Sequence, residues 1–536
     1  MPVTSKNPIL PGFYPDPSIC AVGEDYYIVN SSFAYFPGLP VMHSRDLAHW
    51  EQIGNVLTRQ SQLPLEDTGV SQGLFAPTMR YHDGTYYVIC TNISHGGNFV
   101  VTSDKPEGPY SEPHYIEGAD GIDPSLFFDD DGKCYYIGTH PNVEGCKYNG
   151  DYFIYIQEFD TGSFKLVGER VEAWNGALKG VHWPEGPHLY HIGEYYYILH
   201  AEGGTGPEHA VSVARSKSVF GPYENNFCNP IFTHRHLGQR YPIKYVGHAD
   251  LIQAANGDWY MVMLAVRPIF GFTTMGRETF LARVIWENDW PVVNPGLGIL
   301  SGELNIDLDE YIPECRQTNI PGTNKLYDFT HLDELGYEFM HLRNPKPDMY
   351  ELKNGEGLYL KCDPDLLSGK GSPSYVCIRQ DCHCFEAAVT LTGDELYEGA
   401  RAGIALFQSE DYQLRFEYSG VSANVILRKN GVDEKIASAV SPQKLITLVI
   451  NVMGTKATLF TVRDNTAEIL VRDLDVSSLS TEIAGGFVGC TIGMFAEDSE
   501  SRNSAARACF RSMSYKRILP AAKNAGEGAD NSGEEA

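Results

Sequence analysis

Four ionisable side chains, Asp16, Asp123, Glu185 and His248, open segments of this chain that otherwise read alike. Two carboxylates facing each other across a cavity are the working parts of a glycosidase. One, protonated, donates to the leaving oxygen, and the other takes a proton from water or attacks the sugar carbon. A third carboxylate nearby repels the charge of the acid and raises its pKa, so that it keeps its proton near neutral pH. The chain carries no Gly-x-Ser-x-Gly elbow, Walker loop, His-Glu-x-x-His or dinucleotide fingerprint that would supply a rival chemistry.

Repetition must bring these residues together. Five segments share one pattern: DPSICAVGEDYYIVNSS from Asp16, APTMRYHDGTYYVICT from Ala76, DPSLFFDDDGKCYYIGT from Asp123, EGPHLYHIGEYYYILHAEGG from Glu185 and HADLIQAANGDWYMVMLA from His248. Each has a short apolar strand, a polar turn with glycine, and an aromatic pair opening a second strand. The pairs are Tyr26-Tyr27, Tyr86-Tyr87, Tyr135-Tyr136, Tyr195-Tyr196 and Trp259-Tyr260, at hairpin spacing from the segment starts. The starts lie 60, 47, 62 and 63 residues apart, room for four strands each. Five such units make an all-β, five-bladed propeller, whose blades begin at the central channel. The residues expected to line that channel are therefore Asp16, Ala76, Asp123, Glu185 and His248. Asp-Pro-Ser and Glu-Gly-Pro are also ordinary turn peptides, and a lone acid at a strand start is commonly just solvated. Three acids recurring in one cavity are costly to desolvate, which function explains better than stability.

The motifs NPILPGFYPDPSIC, APTMRY, GIDPSLFFDDDGKCYYI, WPEGPHLY, HAEGG, GHADLI, MGRETFL and NDWPVVNPG together resemble glycoside hydrolase family 43, closest to its two-domain β-xylosidase and α-L-arabinofuranosidase branch. The resemblance implies a propeller that hydrolyses glycosidic bonds with inversion, with Asp16 as general base, Asp123 as pKa modulator and orienter, and Glu185 as general acid. It nominates Arg277, in Gly-Arg-Glu-Thr, as a substrate-binding cation. His248, in Gly-His-Ala-Asp, matches an axial histidine that holds a water or, in some members, a calcium ion in the central channel; no cofactor is otherwise required. Phe33 and Phe75 are the expected aromatic walls for a sugar face. The β-xylosidase branch often has Trp where Phe75 stands, a departure that leaves the choice between xylose and arabinose open. Phe487, in AGGFVGC, resembles a loop aromatic that reaches toward the active site from the second domain.

The repeat ends near NDWPVVNPG, so residues 1–311 are read as the propeller and 312–325 as a Pro/Gly/Thr/Asn linker. Alternating segments such as FEAAVTL, YQLRFEY and KLITLVINV then read as about ten strands of a β-sandwich over 326–518. The resemblance makes this sandwich concanavalin-like. The small, acidic residues 519–536 are expected to be a disordered tail.

Lys+Arg 41 against Asp+Glu 69 gives a net charge of −28, which disfavours nucleic acid as a partner. No run approaches the ~18 apolar residues of a membrane span. None of the 12 cysteines has a usual zinc spacing, and no signal peptide is visible, so a cytoplasmic protein is expected. The expected activity is exo-release of terminal pentose from xylooligosaccharides or arabinoxylan-type side chains. β-Xylosidase is placed first, with α-L-arabinofuranosidase as the alternative main activity. An extra domain over the pocket argues against endo attack on long chains, and a carbohydrate-binding propeller without chemistry is the alternative of another class. A homo-oligomer is open on this evidence.

Overall fold

The computed structural model describes residues 2–238, 240–313, 319–397, 399–463, 466–500 and 505–518. The first half forms five four-stranded antiparallel sheets; four are built from strands consecutive along the chain, and in the first the short strand Tyr35–Phe36 intervenes and pairs elsewhere. Their innermost strands are Ser18–Val22, Thr78–His82, Ile122–Phe128, Glu185–Ile192 and Lys244–Gln253. The strands Val3–Lys6 and Glu303–Ile306 pair antiparallel and tie the two ends of the propeller together.

The register between first and second strands corrects the sequence alignment by one residue. Ile19 pairs with Ile28, Leu189 with Ile198 and Leu251 with Met261, and the residues three positions earlier are Asp16, Gly186 and His248. The axial layer is therefore Asp16, Ala76, Asp123, Gly186 and His248, and Glu185 stands one residue ahead of it. The reason is steric. A Cβ at Gly186 would lie 2.7 Å from the His248 ring, so this blade leaves the axial place to the histidine and offers its acid from the preceding residue. Asp16, Asp123, Gly186 and His248 all have positive φ, between 47° and 56°. The register slips beside three of them, at Ile122/Ser125, Glu185/His188 and Gly247/Ala249. Such bulges re-aim side chains that a regular strand would send elsewhere.

Two residues further along each strand lies a second axial layer of Ser18, Thr78, Ser125, His188 and Asp250. Asp250 is fully buried, and its Oδ2 accepts from Ser18 Oγ (2.8 Å), the Ile19 N–H (3.0 Å) and Arg80 Nη1 (3.0 Å). Its Oδ1 accepts from Tyr190 Oη (2.6 Å) and Arg80 Nη2 (3.2 Å). Arg80 Nη2 also reaches His188 Nδ1 at 3.0 Å, and that ring approaches Ser125 Oγ at 3.3 Å. One hydrogen-bonded network thus joins all five blades at the axis. Burial raises the Asp250 pKa, but Arg80, His188 and Tyr190 together outweigh it and bring it to about 2.

The second half is a concanavalin-like sandwich of an eight-stranded and a six-stranded sheet. Val389, Leu391, Ile404, Phe416, Leu448 and Phe510 are among the residues of its core. More strands form than the roughly ten expected, because outer strands such as Thr466–Asp475 are largely exposed and lack an apolar alternation. Lys325, the last residue of the expected linker, already opens the strand Lys325–Asp328, and residues 314–318 and 519–536 lie outside the described residues.

The two halves are joined by direct strand pairing, His341 with Phe36 and Leu342 with Tyr35. Beside it Arg343 is 1% exposed and crosses the junction. It donates to Thr68 O (2.8 Å), Gly369 O (2.7 Å) and Gly371 O, and pairs with Glu410 at 2.8 Å. No helix among the described residues is long and apolar enough to cross a membrane.

Asp250→Ala leaves the mostly buried Arg80 without its carboxylate partner and should cost about 3 kcal/mol in denaturant unfolding. Because the folded pKa is depressed, the stability contributed by Asp250 is complete above its unfolded value near 4 and lost as pH falls toward about 2. Asp250→Asn should flatten that part of the stability–pH curve, and an unchanged acid limb would assign it to other carboxylates.

Candidate active site

The upper axial layer opens into a cavity of about 450 Å³. Asp16, Asp123, Glu185, His248, Arg277, Phe33, Phe75 and Phe487 all contribute to its lining, so every residue singled out from the sequence faces one space. Its volume lies within the range of small-molecule pockets.

Asp16 is buried and doubly held. Arg277 Nη1 donates to Oδ1 at 2.6 Å, Ser31 Oγ donates to Oδ2 at 2.6 Å, and His248 Nδ1 lies 3.8 Å from Oδ1. Burial pushes its pKa up, yet Arg277, His248 and Ser31 more than offset this and hold the carboxyl below its ordinary value. Asp123 accepts only the Gly186 N–H, at 3.2 Å, from the described hydrogen-bond donors. Burial, aided by the Asp16 charge and opposed by His248, raises it to about 6. Glu185 is raised well above an ordinary glutamate, first by burial and then by the charges of Asp123 and Asp16. The surroundings therefore favour the charged form at Asp16 and the proton at Glu185, the division of labour that acid–base hydrolysis needs.

Phe33, Phe75 and Phe487 form a ring cluster with centroids 5.5–6.1 Å apart. The Arg277 guanidinium lies 5.8 Å from the rings of both Phe33 and Phe487, which puts the cluster on the Asp16 side of the cavity. Phe33, at φ 50°, is fixed by a mutual backbone pair with Leu74 (3.0 and 3.1 Å).

Phe487 comes from the sandwich, on a loop that follows the short helix Thr481–Ala484. Glu482 receives the Thr273 N–H (2.7 Å) and hydroxyl (2.8 Å), and the Cys490 N–H reaches Thr274 O at 2.8 Å. Between these clamps Gly276 and Gly489 meet backbone to backbone. A Cβ at Gly489 would lie 2.3 Å from Met275 O, and one at Gly276 would lie 2.7 Å from Gly489 N. The Phe487 N–H donates to Ser71 Oγ at 3.0 Å, and its carbonyl accepts from Arg277 Nη2 at 3.4 Å.

Sequence reasoning missed other lining residues, among them His209, Tyr152 and Trp183. His209 is 1% exposed, and burial lowers its pKa to about 3. Nδ1 lies 3.0 Å from Tyr245 O, a partner that can only accept, so the proton sits on Nδ1 and Nε2 is left as an acceptor. His209 lies in EGGTGPEHA, and its only sequence signal was the run of glycines that brings the turn close to the axis.

The surroundings of His248 do not make a calcium cage. Calcium takes six to eight oxygens, whereas His248 offers nitrogen and its neighbour Asp16 is already engaged by Arg277 and Ser31. Among the described residues, the group of three metal-type side chains within ligating distance is Asp129, Asp130 and His191, at the surface of another part of the propeller. No step of the chemistry is routed through an ion.

A propeller whose axial cavity brings together two carboxyls shifted in opposite directions, walled by aromatic rings, defines a hydrolase of glycosidic bonds. The chain belongs to glycosyl hydrolases family 43, whose model matches residues 5–291, and residues 327–516 match the beta xylosidase C-terminal concanavalin A-like domain. It is 47% identical over 512 residues to a xylosidase/arabinosidase of Butyrivibrio fibrisolvens, covering 93% of this chain and 96% of that one. It is 34% identical to a non-reducing end alpha-L-arabinofuranosidase of Bacteroides ovatus, over 94% of this chain and 93% of the other. The crystal structure of a xylan beta-1,4-xylosidase from Bacillus halodurans superposes with a TM-score of 0.87 at 32% identity, covering 96% of this chain and all of that one.

Arg277 is the largest influence opposing burial at Asp16. Arg277→Met should therefore raise the Asp16 pKa and move the acid limb of the pH–rate profile to higher pH, besides weakening substrate binding. A lower rate with an unmoved acid limb would confine Arg277 to binding.

Proposed function

We propose that this enzyme is an inverting exo-glycosidase that releases terminal pentose from xylooligosaccharides or arabinoxylan-type side chains, with β-xylosidase as its main activity and arabinofuranosidase activity in the same pocket. The observation that carries the reading is the meeting in one cavity of Asp16, held by Arg277 and Ser31, with Glu185, for which the described residues provide no such partner. Asp16 takes a proton from a water, whose oxygen forms the new bond to the anomeric carbon. Glu185 gives its proton to the glycosidic oxygen as that bond breaks. One water is consumed, and the two carboxyl groups exchange protonation states until solvent restores them.

Asp123 modulates the acid. Its charge is one cause of the raised Glu185 pKa, and its bond to the Gly186 N–H orients the peptide that follows Glu185. Arg277 anchors sugar hydroxyls while holding Asp16. Phe33, Phe75 and Phe487 cover the sugar's apolar face, and the Phe487 loop closes one side of the cavity, which favours chain ends over chain interiors. The names of the B. fibrisolvens and B. ovatus relatives support a pentose substrate. Phe75, a smaller ring than the Trp frequent in β-xylosidases, is the departure on which the balance between xylose and arabinose turns. A reducing compartment suits the described cysteines, all of them free thiols.

Initial rates on nitrophenyl β-D-xylopyranoside and nitrophenyl α-L-arabinofuranoside should both be measurable, with the xyloside faster. A reversed ratio would make arabinofuranosidase the main activity, and no cleavage of either would end the exo-pentosidase reading. Glu185→Ala should lose most activity on xylobiose and less on the activated aryl glycosides, which need little protonation; equal loss would argue against an acid. Asp123→Asn removes a charge that raises Glu185, so the basic limb of the pH profile should move to lower pH. An unmoved limb with full activity would exclude the modulator role.

A further inference from the structure

The aromatic residue nearest the acid in sequence is not one of the three phenylalanines. Trp183 stands two residues before Glu185, on the loop that enters the fourth blade, and lines the same cavity half-buried. Its backbone has φ 45°, a region a bulky side chain occupies only where its surroundings compel it.

Those surroundings form a slot between two glycines. A Cβ at Gly150 would lie 2.8 Å from Trp183 Cδ2, and one at Gly204 would lie 3.0 Å from Cε3. Both glycines have positive φ, so neither place readily takes another residue. The slot is laced by backbone bonds: the Trp183 N–H to Gly150 O (2.8 Å) and the Gly203 N–H to His182 O (2.8 Å). Tyr148 Oη donates to Val181 O at 3.0 Å, and the Ala177 N–H is received by the buried Glu202 at 3.1 Å. Loops from two blades thus hold one indole at a fixed place beside the cavity, although the core has no need of it there.

The two aromatic groups divide the cavity by chemistry. The phenylalanine cluster goes with Arg277 and Asp16, the side from which water attacks the sugar being released. Trp183 stands two residues before Glu185, lines the cavity with it and has no described ring contact with that cluster; with Glu185 at the leaving oxygen, a ring beside it meets the part of the substrate that departs. We propose that Trp183 is the stacking platform for the leaving-group sugar and makes this enzyme selective for oligosaccharide over small leaving groups. The proposal rests on the acid role given to Glu185. It differs from the three-phenylalanine wall in the half of the substrate it serves.

The test compares xylobiose, whose leaving group is a pyranose ring, with β-D-xylopyranosyl fluoride, whose leaving group has no ring to stack. In Trp183→Ala the ratio of kcat/KM for xylobiose to that for the fluoride should fall about tenfold, the scale of one lost aromatic contact. Trp183→Phe should recover most of the ratio. In a Glu185→Gln background, xylobiose should quench indole fluorescence, and the quench should vanish in Glu185→Gln/Trp183→Phe. Equal losses on the two substrates, or a quench that survives without Trp183, would overturn the platform. Wild-type protein that cleaves neither substrate would instead refute the proposed pentosidase activity, so the two failures are distinguishable.

Discussion

Asp250, bonded at once to Ser18, the Ile19 N–H, Arg80 and Tyr190, is the clasp on which the arrangement depends. A propeller has no continuous sheet around its axis, so something other than strand pairing must fix the blades relative to one another. Here a buried ion pair with neighbours from every blade supplies that fix. One layer above it, the same strands carry Asp16, Asp123 and His248, with Glu185 alongside. The lower layer is electrically satisfied, and its aspartate is held at about 2. The upper layer is not: Asp16 and Asp123 are buried and Glu185 partly so, Arg277 bonds only Asp16, and the imbalance falls on Glu185 and Asp123. Placing an unbalanced layer on a balanced one concentrates the electrostatic strain at the cavity.

Backbone conformation converts that axial symmetry into distinct roles. Positive φ at Asp16, Asp123 and His248 turns these side chains from the ordinary alternation of a strand toward the cavity. Gly186 breaks the repeat, because the His248 ring fills the space its side chain would need. Glu185 consequently reaches the cavity from the position just ahead of the axial residue, the place held by Phe75 and Ile122 in the second and third blades, and without a guanidinium of its own. A glutamate in the Gly186 place would collide with the histidine. The displaced position is therefore a steric requirement as well as an electrostatic opportunity.

The sandwich contributes less by its own fold than by what it delivers. The glycine pair Gly276 and Gly489 allows two chains to touch, and the Glu482 contacts with Thr273 lock the approach. The outcome is that Arg277 meets two walls of the cavity at once, a carboxylate of the propeller and the Phe487 carbonyl of the sandwich. Arg343, buried at the other side of the junction, keeps the two halves from drifting and so keeps Phe487 in register with Phe33.

Much of this was legible in the chain itself. Five aromatic-pair hairpins at regular intervals determined the propeller, because hairpin spacing and blade length are local properties. The recurring prolines Pro17, Pro77, Pro124 and Pro187, read strictly, align Gly186 with Asp16 and Asp123 and contain the one-residue displacement of Glu185. Charged residues in apolar strands marked Asp16, Asp123 and His248 as costly and hence as informative. The ionisation states were decided only by the tertiary structure. Asp16 and Glu185 differ because Arg277, 261 residues away in the chain, bonds one and not the other. The placement of Trp183 and His209 around the same cavity was equally beyond sequence, and Phe487 was nominated by resemblance alone, since each depends on loops from different blades or domains meeting at contact distance. Local pattern fixes which strands form; burial and long-range approach fix which of their acids keeps its proton.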